Sequence, residues 1–323
     1  MKVLFMGSGT FGLPVLDALA ASRHPVAAVV TAPDKPQGRG RVLTPSPIKV
    51  WADAKNIPAL TPAKLNTPET IAQLKSIGAD VFIVASYGAL LSEEVLGLPA
   101  KGCINVHPSL LPLYRGASPV VQALLDGHKR TGMTIMAMAK DLDAGDILLQ
   151  EAVGVAADED ARTLTDRLAR MGGEMTVQAL DLLEAGKLGR VPQDHAAATY
   201  CSKLKKEHGR IDWTAPAQVV HDRVRALVIW PGSFTTRNGK QLKILKTRPA
   251  APGEMPPGPG EAPSGPGSNE PGRVLGTRAP GGLIVKCGDG PLAVEELQPE
   301  GGRPMHWKDF VNGSSIKPGD RFE

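Results

Sequence analysis

Residues 103–116 read C-I-N-V-H-P-S-L-L-P-L-Y-R-G, an apolar strand running into a turn rich in proline and glycine. Side chains on a strand alternate faces with period two, so Cys103, Asn105 and His107 project to one side. Pro108 ends the ladder, because it has no backbone N–H and resists a central strand position. An amide and a titratable ring are thereby set at the carboxyl end of a strand, which is where open α/β sheets bind ligands.

Strands and helices alternate on either side of this stretch. Residues 2–6 read as a strand, followed by G-S-G-T-F-G at 7–12 and a helix over 13–21. Further strands are expected at 26–30, 80–85, 134–138 and 147–155, with helices at 48–55, 68–77 and 160–184 and one ending at 122–125. This pattern predicts an α/β fold, a mainly parallel sheet with helices on both faces. Residues 31–47 have no hydrophobic period and carry Lys35, Arg39 and Arg41, which predicts a long loop. From 233 the character changes to short alternating runs between turn residues: S-F-T-T-R, Q-L-K-I-L-K, R-V-L-G-T, L-I-V-K-C and L-A-V-E-E-L. Such runs predict a small β-barrel or sandwich. Residues 249–271, dense in Pro, Gly and Ser, predict a disordered loop within it. The expected plan is an α/β domain over 1–190, a linker over 191–206 and a β domain over 207–323.

A chain of 323 residues suits two domains, and 42% apolar content can fill a core in each. Cys103, Cys201 and Cys287 are widely spaced and odd in number, which suits free thiols in a reducing compartment. No leader and no apolar run of membrane-span length is evident, so a cytoplasmic protein without a membrane partner is expected. A net charge of +4 names no partner, but the basic residues cluster. Arg237, Lys240, Lys243, Lys246 and Arg248 fall in one run without an acid; Lys203, Lys205, Lys206 and Arg210 lie just upstream. Lys35, Arg39, Arg41 and Lys49 add a third run. Three such runs suggest a surface that follows phosphates.

The glycines at 7, 9 and 12 fit a dinucleotide fingerprint, but the second strand ends V-V-T without the acid a ribose needs. A tight strand-to-helix turn is the better reading. Asp141, Asp143 and Asp146 invite a calcium loop, yet Ala152 stands where its glutamate belongs. Neither H-x-x-x-H nor C-x-x-C occurs to hold zinc, so no metal is expected. Asp143 could instead orient His107 and favour its protonated form. Cys103, at an apolar strand start, reads as an inert buried thiol.

The stretch G-C-I-N-V-H-P-S-L-L-P-L-Y-R-G resembles the signature of enzymes that transfer a formyl group from 10-formyltetrahydrofolate, and L-D-A-G-D at 142–146 resembles their second signature. The loop P-D-K-P-Q-G-R-G-R-V-L-T-P-S-P-I-K, the segment K-E-H-G-R-I-D-W, the W-P-G-S-F run and the ending L-Q-P-E-G-G-R-P-M-H-W-K-D-F-V-N-G resemble methionyl-tRNA formyltransferases. The departure is 249–271, longer and richer in proline than that family needs. The resemblance implies a Rossmann-like catalytic domain that holds no dinucleotide and an OB-like domain that binds tRNA. It implies formyl transfer from 10-formyltetrahydrofolate, a substrate, to the α-amino group of initiator methionyl-tRNA. Asn105, His107 and Asp143 would be catalytic, and Ser109, Leu110, Leu111 and Pro112 would line the folate site. Lys35, Arg39, Arg41, Lys203, Lys205, Lys206 and Lys243 would grip the tRNA. No metal is implied, and a monomer is expected.

Other readings predict other features. A glycinamide ribonucleotide formyltransferase would end near residue 200, and a nucleotide-sugar formyltransferase would lack the R-G-R loop. An NAD(P)-dependent oxidoreductase would rest on the glycine turn. A non-catalytic RNA-binding protein would not need the Asn/His/Asp set.

Overall fold

The computed structural model describes residues 1–37, 40, 42–250, 270–278, 281–314 and 316–323. It divides into two units. The first comprises Met1–Pro119, Arg130–Gly154 and Leu164–Ser202; the second comprises Val120–Lys129, Val155–Thr163 and Lys203–Glu323. The loop expected over 249–271 lies, for 251–269, outside the described residues.

In chain order the elements up to residue 201 are β1 (Val3–Met6), α1 (Gly12–Ala20), β2 (Val26–Val30), β3 (Lys35–Gln37), β4 (Val42–Thr44), α2 (Pro47–Ala54), β5 (Ala59–Leu60), α3 (Pro68–Ile77), β6 (Val81–Val84), α4 (Glu93–Leu96), β7 (Cys103–His107), β8 (Arg115–Gly116), α5 (Pro119–Leu125), β9 (Arg130–Ala137), β10 (Ile147–Gly154), α6 (Ala161–Glu184) and β11 (Tyr200–Cys201). The main sheet has the order β10-β9-β7-β6-β1-β2-β5. Strands β7, β6, β1, β2 and β5 pair in parallel, while β9 is antiparallel to β7 and β10 to β9. The sheet is the Rossmann-like, mainly parallel one expected.

Local signals explain where its helices start and stop. Ser46 caps α2 by accepting from the Lys49 N–H, with Pro47 supplying a preset φ at the first helical position. Thr67 caps α3 the same way, and Gly78, at φ +61°, ends it in the left-handed region. All four residues of β1 are buried, as a strand covered on both faces requires. Leu4 and Met6 pack with Ile71 and Leu74 of α3 and with Phe82 and Val84 of β6. On the other face Phe5 lies under the glycine turn. A Cβ on Gly7 would come within 2.6 Å of the Ala85 carbonyl, and one on Gly12 within 2.9 Å of the Phe5 ring. These are packing glycines. Deep in α6, a Cβ on Gly172 would meet Val106 Cγ1 at 2.8 Å and one on Gly173 the Pro14 carbonyl at 2.8 Å. Gly172 lets the long helix lie against Val106 of β7, and Gly173 lets it lie against α1.

The stretch expected to be a long loop over 31–47 carries two short strands. Within the long loop, Lys35 pairs with Thr44 and Gln37 with Val42 in a small antiparallel hairpin. Three-residue strands are too short to show a period, and Val42 and Leu43 are 68% and 66% exposed, so no buried face marks them.

The remaining elements are α7 (Ala217–Ala226), β12 (Ser233–Arg237), β13 (Lys240–Pro249), β14 (Val274–Arg278), β15 (Gly282–Lys286), β16 (Pro291–Pro299), β17 (Met305–His306) and α8 (Trp307–Ser314). The short alternating runs of the sequence are β12 to β16. They pair antiparallel in the order β12-β13-β16-β15-β14, with β17 against β16. Leu242, Ile244, Val274, Leu283, Val285, Leu292, Val294 and Leu297 converge with Trp213, Trp307, Phe310 and Phe322 on one core. This is the small antiparallel β domain of the OB-like expectation. Among the described residues no helix is long and apolar enough to cross a membrane.

Candidate active site

The antiparallel partner of β7 shapes the turn after His107. His107 lies opposite Thr134 on β9, and the Thr134 hydroxyl donates to the Ser109 carbonyl at 2.6 Å. The same oxygen accepts from the Leu111 N–H at 3.2 Å and from Gln150 Nε2 at 2.9 Å. Ser109 is fully buried and its hydroxyl donates to the Leu113 carbonyl at 2.7 Å; Leu111 is also buried. Of the four residues assigned to a folate site, those two therefore build the turn. Leu110 and Pro112 keep partly exposed surface.

Asn105, His107 and Asp143 meet. Asn105 Nδ2 donates to Asp143 Oδ1 at 3.3 Å, and His107 Nδ1 lies 3.7 Å from Asp143 Oδ2. The backbone N–H of Gly116 donates to that same Oδ2 at 2.8 Å. Asp143 itself sits at φ +51°, a left-handed conformation uncommon outside glycine. The Asn105 side chain is half-buried, and its remaining N–H and its carbonyl have no partner among the described residues. An amide with free hydrogen-bonding capacity beside a carboxylate and an imidazole can receive a polar substrate atom.

The His107 ring is 4% exposed, and Nε2 lies 3.0 Å from the Tyr114 carbonyl. A carbonyl only accepts, so Nε2 carries the proton and, in the neutral ring, Nδ1 holds the free lone pair. Burial pushes the imidazole below its ordinary range, while Asp143 and the Tyr114 carbonyl pull the other way and lose. The direction of that shift favours a neutral ring, with Asp143 working against it.

Cys103 is buried near the Leu96 carbonyl, and burial pushes its thiol up to about 12. That is an inert thiol, as read from the strand. Among the described residues no group of three His, Cys, Asp or Glu side chains could hold a metal ion. The expected tRNA-binding residues divide in fate. Lys35, Lys203, Lys205, Lys206 and Lys243 are exposed, with no ion pair among the described residues. Arg39 and Arg41 lie outside the described residues. The run without acids is partly neutralised by acids from elsewhere in the fold. Arg237 Nη2 lies 2.8 Å from Asp320, and Lys246 and Arg248 contact Glu295 at 3.2 and 3.3 Å.

The sequence reading did not single out Thr134 and Gln150, which brace the turn after His107, or Gln193, which bonds the backbone at Asp143 and the Arg115 side chain. Their spacing carries no local signal, since each acts on backbone or side chains distant in sequence.

Comparison with known proteins gives the family. The family described as Formyl transferase matches residues 1–180, and Formyl transferase, C-terminal domain, matches 203–315. A methionyl-tRNA formyltransferase from Geobacter metallireducens is 40% identical over 322 residues, covering 100% of this chain and 98% of its own. One from Anaeromyxobacter sp. (strain K) is 44% identical over 315 residues, covering 97% of each. Solved structures share the fold at lower identity. HypX from Aquifex aeolicus in complex with tetrahydrofolic acid aligns over 98% of this chain and 48% of its own, with a TM-score of 0.62 at 16% identity. An N-formyltransferase from Helicobacter canadensis aligns over 91% of this chain and 98% of its own, with a TM-score of 0.64 at 16% identity. With both domains matched and relatives this similar over nearly their whole length, the chain belongs to the methionyl-tRNA formyltransferase family.

Proposed function

We propose that this enzyme transfers the formyl group of 10-formyltetrahydrofolate to the α-amino group of methionyl initiator tRNA, in the cytoplasm and as a monomer. The observation that carries the reading is the meeting of Asn105, His107 and Asp143 in a chain similar end to end to proteins of that name. An α-amino group titrates near about 7.7–8.0, so much of it is neutral and nucleophilic at cellular pH. Its lone pair attacks the formyl carbon, the C–N bond forms, and the carbonyl π pair moves to oxygen. The free N–H of Asn105 donates to that oxygen; a donor in this role is worth about 2.7–4 kcal/mol. His107 Nδ1, unprotonated at rest, takes the proton that the amine must lose. The imidazolium then lies between the Tyr114 carbonyl and the Asp143 carboxylate, and returns the proton to N10 of the folate as the C–N10 bond breaks.

Ser109, Leu110, Leu111 and Pro112 form the folate edge of the site, with Leu110 and Pro112 offering apolar contact. On this reading 1–190 is the catalytic domain, 191–206 the linker and 207–323 the tRNA-binding domain. Lys35, Arg39, Arg41, Lys203, Lys205, Lys206 and Lys243 contact phosphates, which positions the acceptor end without reading its sequence. The test is to incubate the enzyme with methionyl-tRNA and 10-formyltetrahydrofolate and to hydrolyse the product. N-formylmethionine supports the reading. Formylation of a nucleotide-linked amino sugar, with methionyl-tRNA left unmodified, refutes it.

A further inference from the structure

We propose that Gln193, gripped by the buried guanidinium of Arg115, is a positioning residue that fixes the backbone turn carrying Asp143. Gln193 is 5% exposed and lies fifty residues beyond Asp143 in sequence, in a stretch with no regular strand or helix. Its Nε2 donates to the Asp143 carbonyl at 2.8 Å and to the Gly145 carbonyl at 2.7 Å. Its Oε1 accepts from Arg115 Nε at 3.1 Å and Nη2 at 2.8 Å. The orientation of the amide is forced, because guanidinium only donates and carbonyls only accept.

Three features make this more than a buried polar contact. The two accepting carbonyls flank Ala144 in the turn where Asp143 adopts φ +51°, a backbone state that persists only when its surroundings hold it. The second grip on this network is on the acid itself: Arg115 is followed by Gly116, whose N–H donates to Asp143 Oδ2 at 2.8 Å. Finally, Arg115 is 3% exposed yet has no acidic partner within 4 Å among the described residues; Gln193, His195 Nδ1 at 3.1 Å and the Tyr200 hydroxyl at 3.5 Å receive it. Burying a guanidinium among neutral acceptors is costly, and the geometry it secures is that of the Asp143 turn. The residue type at 193 follows from counting. Glutamate would set a carboxylate against two carbonyls, lysine would offer Arg115 no acceptor, and methionine would fill the space without a bond.

The inference rests on Asp143 acting in formyl transfer, so the experiment separates the two. The measurements are single-turnover rate, KM for 10-formyltetrahydrofolate and melting temperature for Gln193→Met, Asp143→Ala and the double variant. A carboxylate displaced by about 1 Å should lower the rate about 10²-fold, with KM for the folate unchanged. In the Asp143→Ala background, Gln193→Met should cost nothing further. Where Gln193→Met gives no folded protein, the isosteric Gln193→Glu takes its place. A wild-type rate for the Gln193 variant, an undiminished loss in the Asp143→Ala background, or failure of both variants to fold assigns Gln193 to the fold alone and overturns the proposal. A normal rate for Asp143→Ala instead overturns the role of Asp143.

Discussion

Among the described residues, two places bring a histidine, an aspartate and an arginine close together, and they are built to opposite ends. On α7, His221, Asp222 and Arg225 are 7%, 2% and 4% exposed. Arg225 Nε meets Asp222 Oδ1 at 2.7 Å, and its Nη1 donates to the Glu159 carbonyl at 2.9 Å. His221 lies 3.2 Å from the Ala157 carbonyl and 3.2 Å from the Thr247 hydroxyl. The charges there neutralise each other and bind backbone, which makes a staple. At the end of β7 the arginine and the aspartate are kept apart. Arg115 is met by neutral acceptors, and the Asp143 carboxylate faces an amide, a backbone N–H and an imidazole that burial pushes below its ordinary range. The residue types do not distinguish a site from a staple; whether the arginine pairs with the aspartate does.

The sharpest break between the two regions should come from Asp143→Asn. It keeps an acceptor for the Gly116 N–H but removes the charge that receives the proton on His107. Turnover is expected to fall by about 10²–10⁴-fold with little change in melting temperature. Arg225→Ala should do the reverse. Leaving Asp222 buried and unpaired should cost about 3–5 kcal/mol of stability, read by urea denaturation, with turnover per folded molecule preserved. Were Arg225→Ala to cost turnover instead, the contrast would fail. Asn105→Ala should lower kcat about 10²–10³-fold, as the loss of one oxyanion donor does. A change in KM alone would mean that the amide only binds.

The weaker predictions concern charge. Replacing Lys203, Lys205 and Lys206 with alanine should flatten the dependence of tRNA affinity on salt, each lost phosphate contact lowering the log–log slope by about 0.7–0.9. An unchanged slope would place those lysines away from the RNA. The smallest effect is one the two regions share. Burial holds both His107 and His221 below their ordinary range. The unfolded chain therefore binds more protons than the native one as pH falls below about 6.5, so stability is full above that value and declines beneath it. His221→Gln should lessen that decline in an acid titration of the melting temperature. An identical acid profile would show that His221 does not contribute.

Much of this was legible in the chain. Strand and helix alternation gave the α/β half, and the runs from 233 onward gave β12 to β16, because periods of two and 3.6 survive in sequence wherever an element has a buried face. The hairpin of β3 and β4 was not legible, since its apolar residues face solvent. The basic run at 237–248 looked uncompensated because Asp320 and Glu295, which neutralise part of it, come from other strands and loops.

By itself the sequence pointed to groups that the fold brings together. Asn105 and His107 share a strand face because the side-chain period is two, and Asp143 stands in a signature that resembles one family's. What only the tertiary structure decided is the state and the support of those groups. The burial of His107, which pushes its imidazole below its ordinary range, is something no local pattern encodes. Asp143 accepts from the Gly116 N–H and from Gln193, which Arg115 holds in turn. Hydrogen bonds between residues tens of positions apart leave no period in a sequence, because the fold alone brings donor to acceptor.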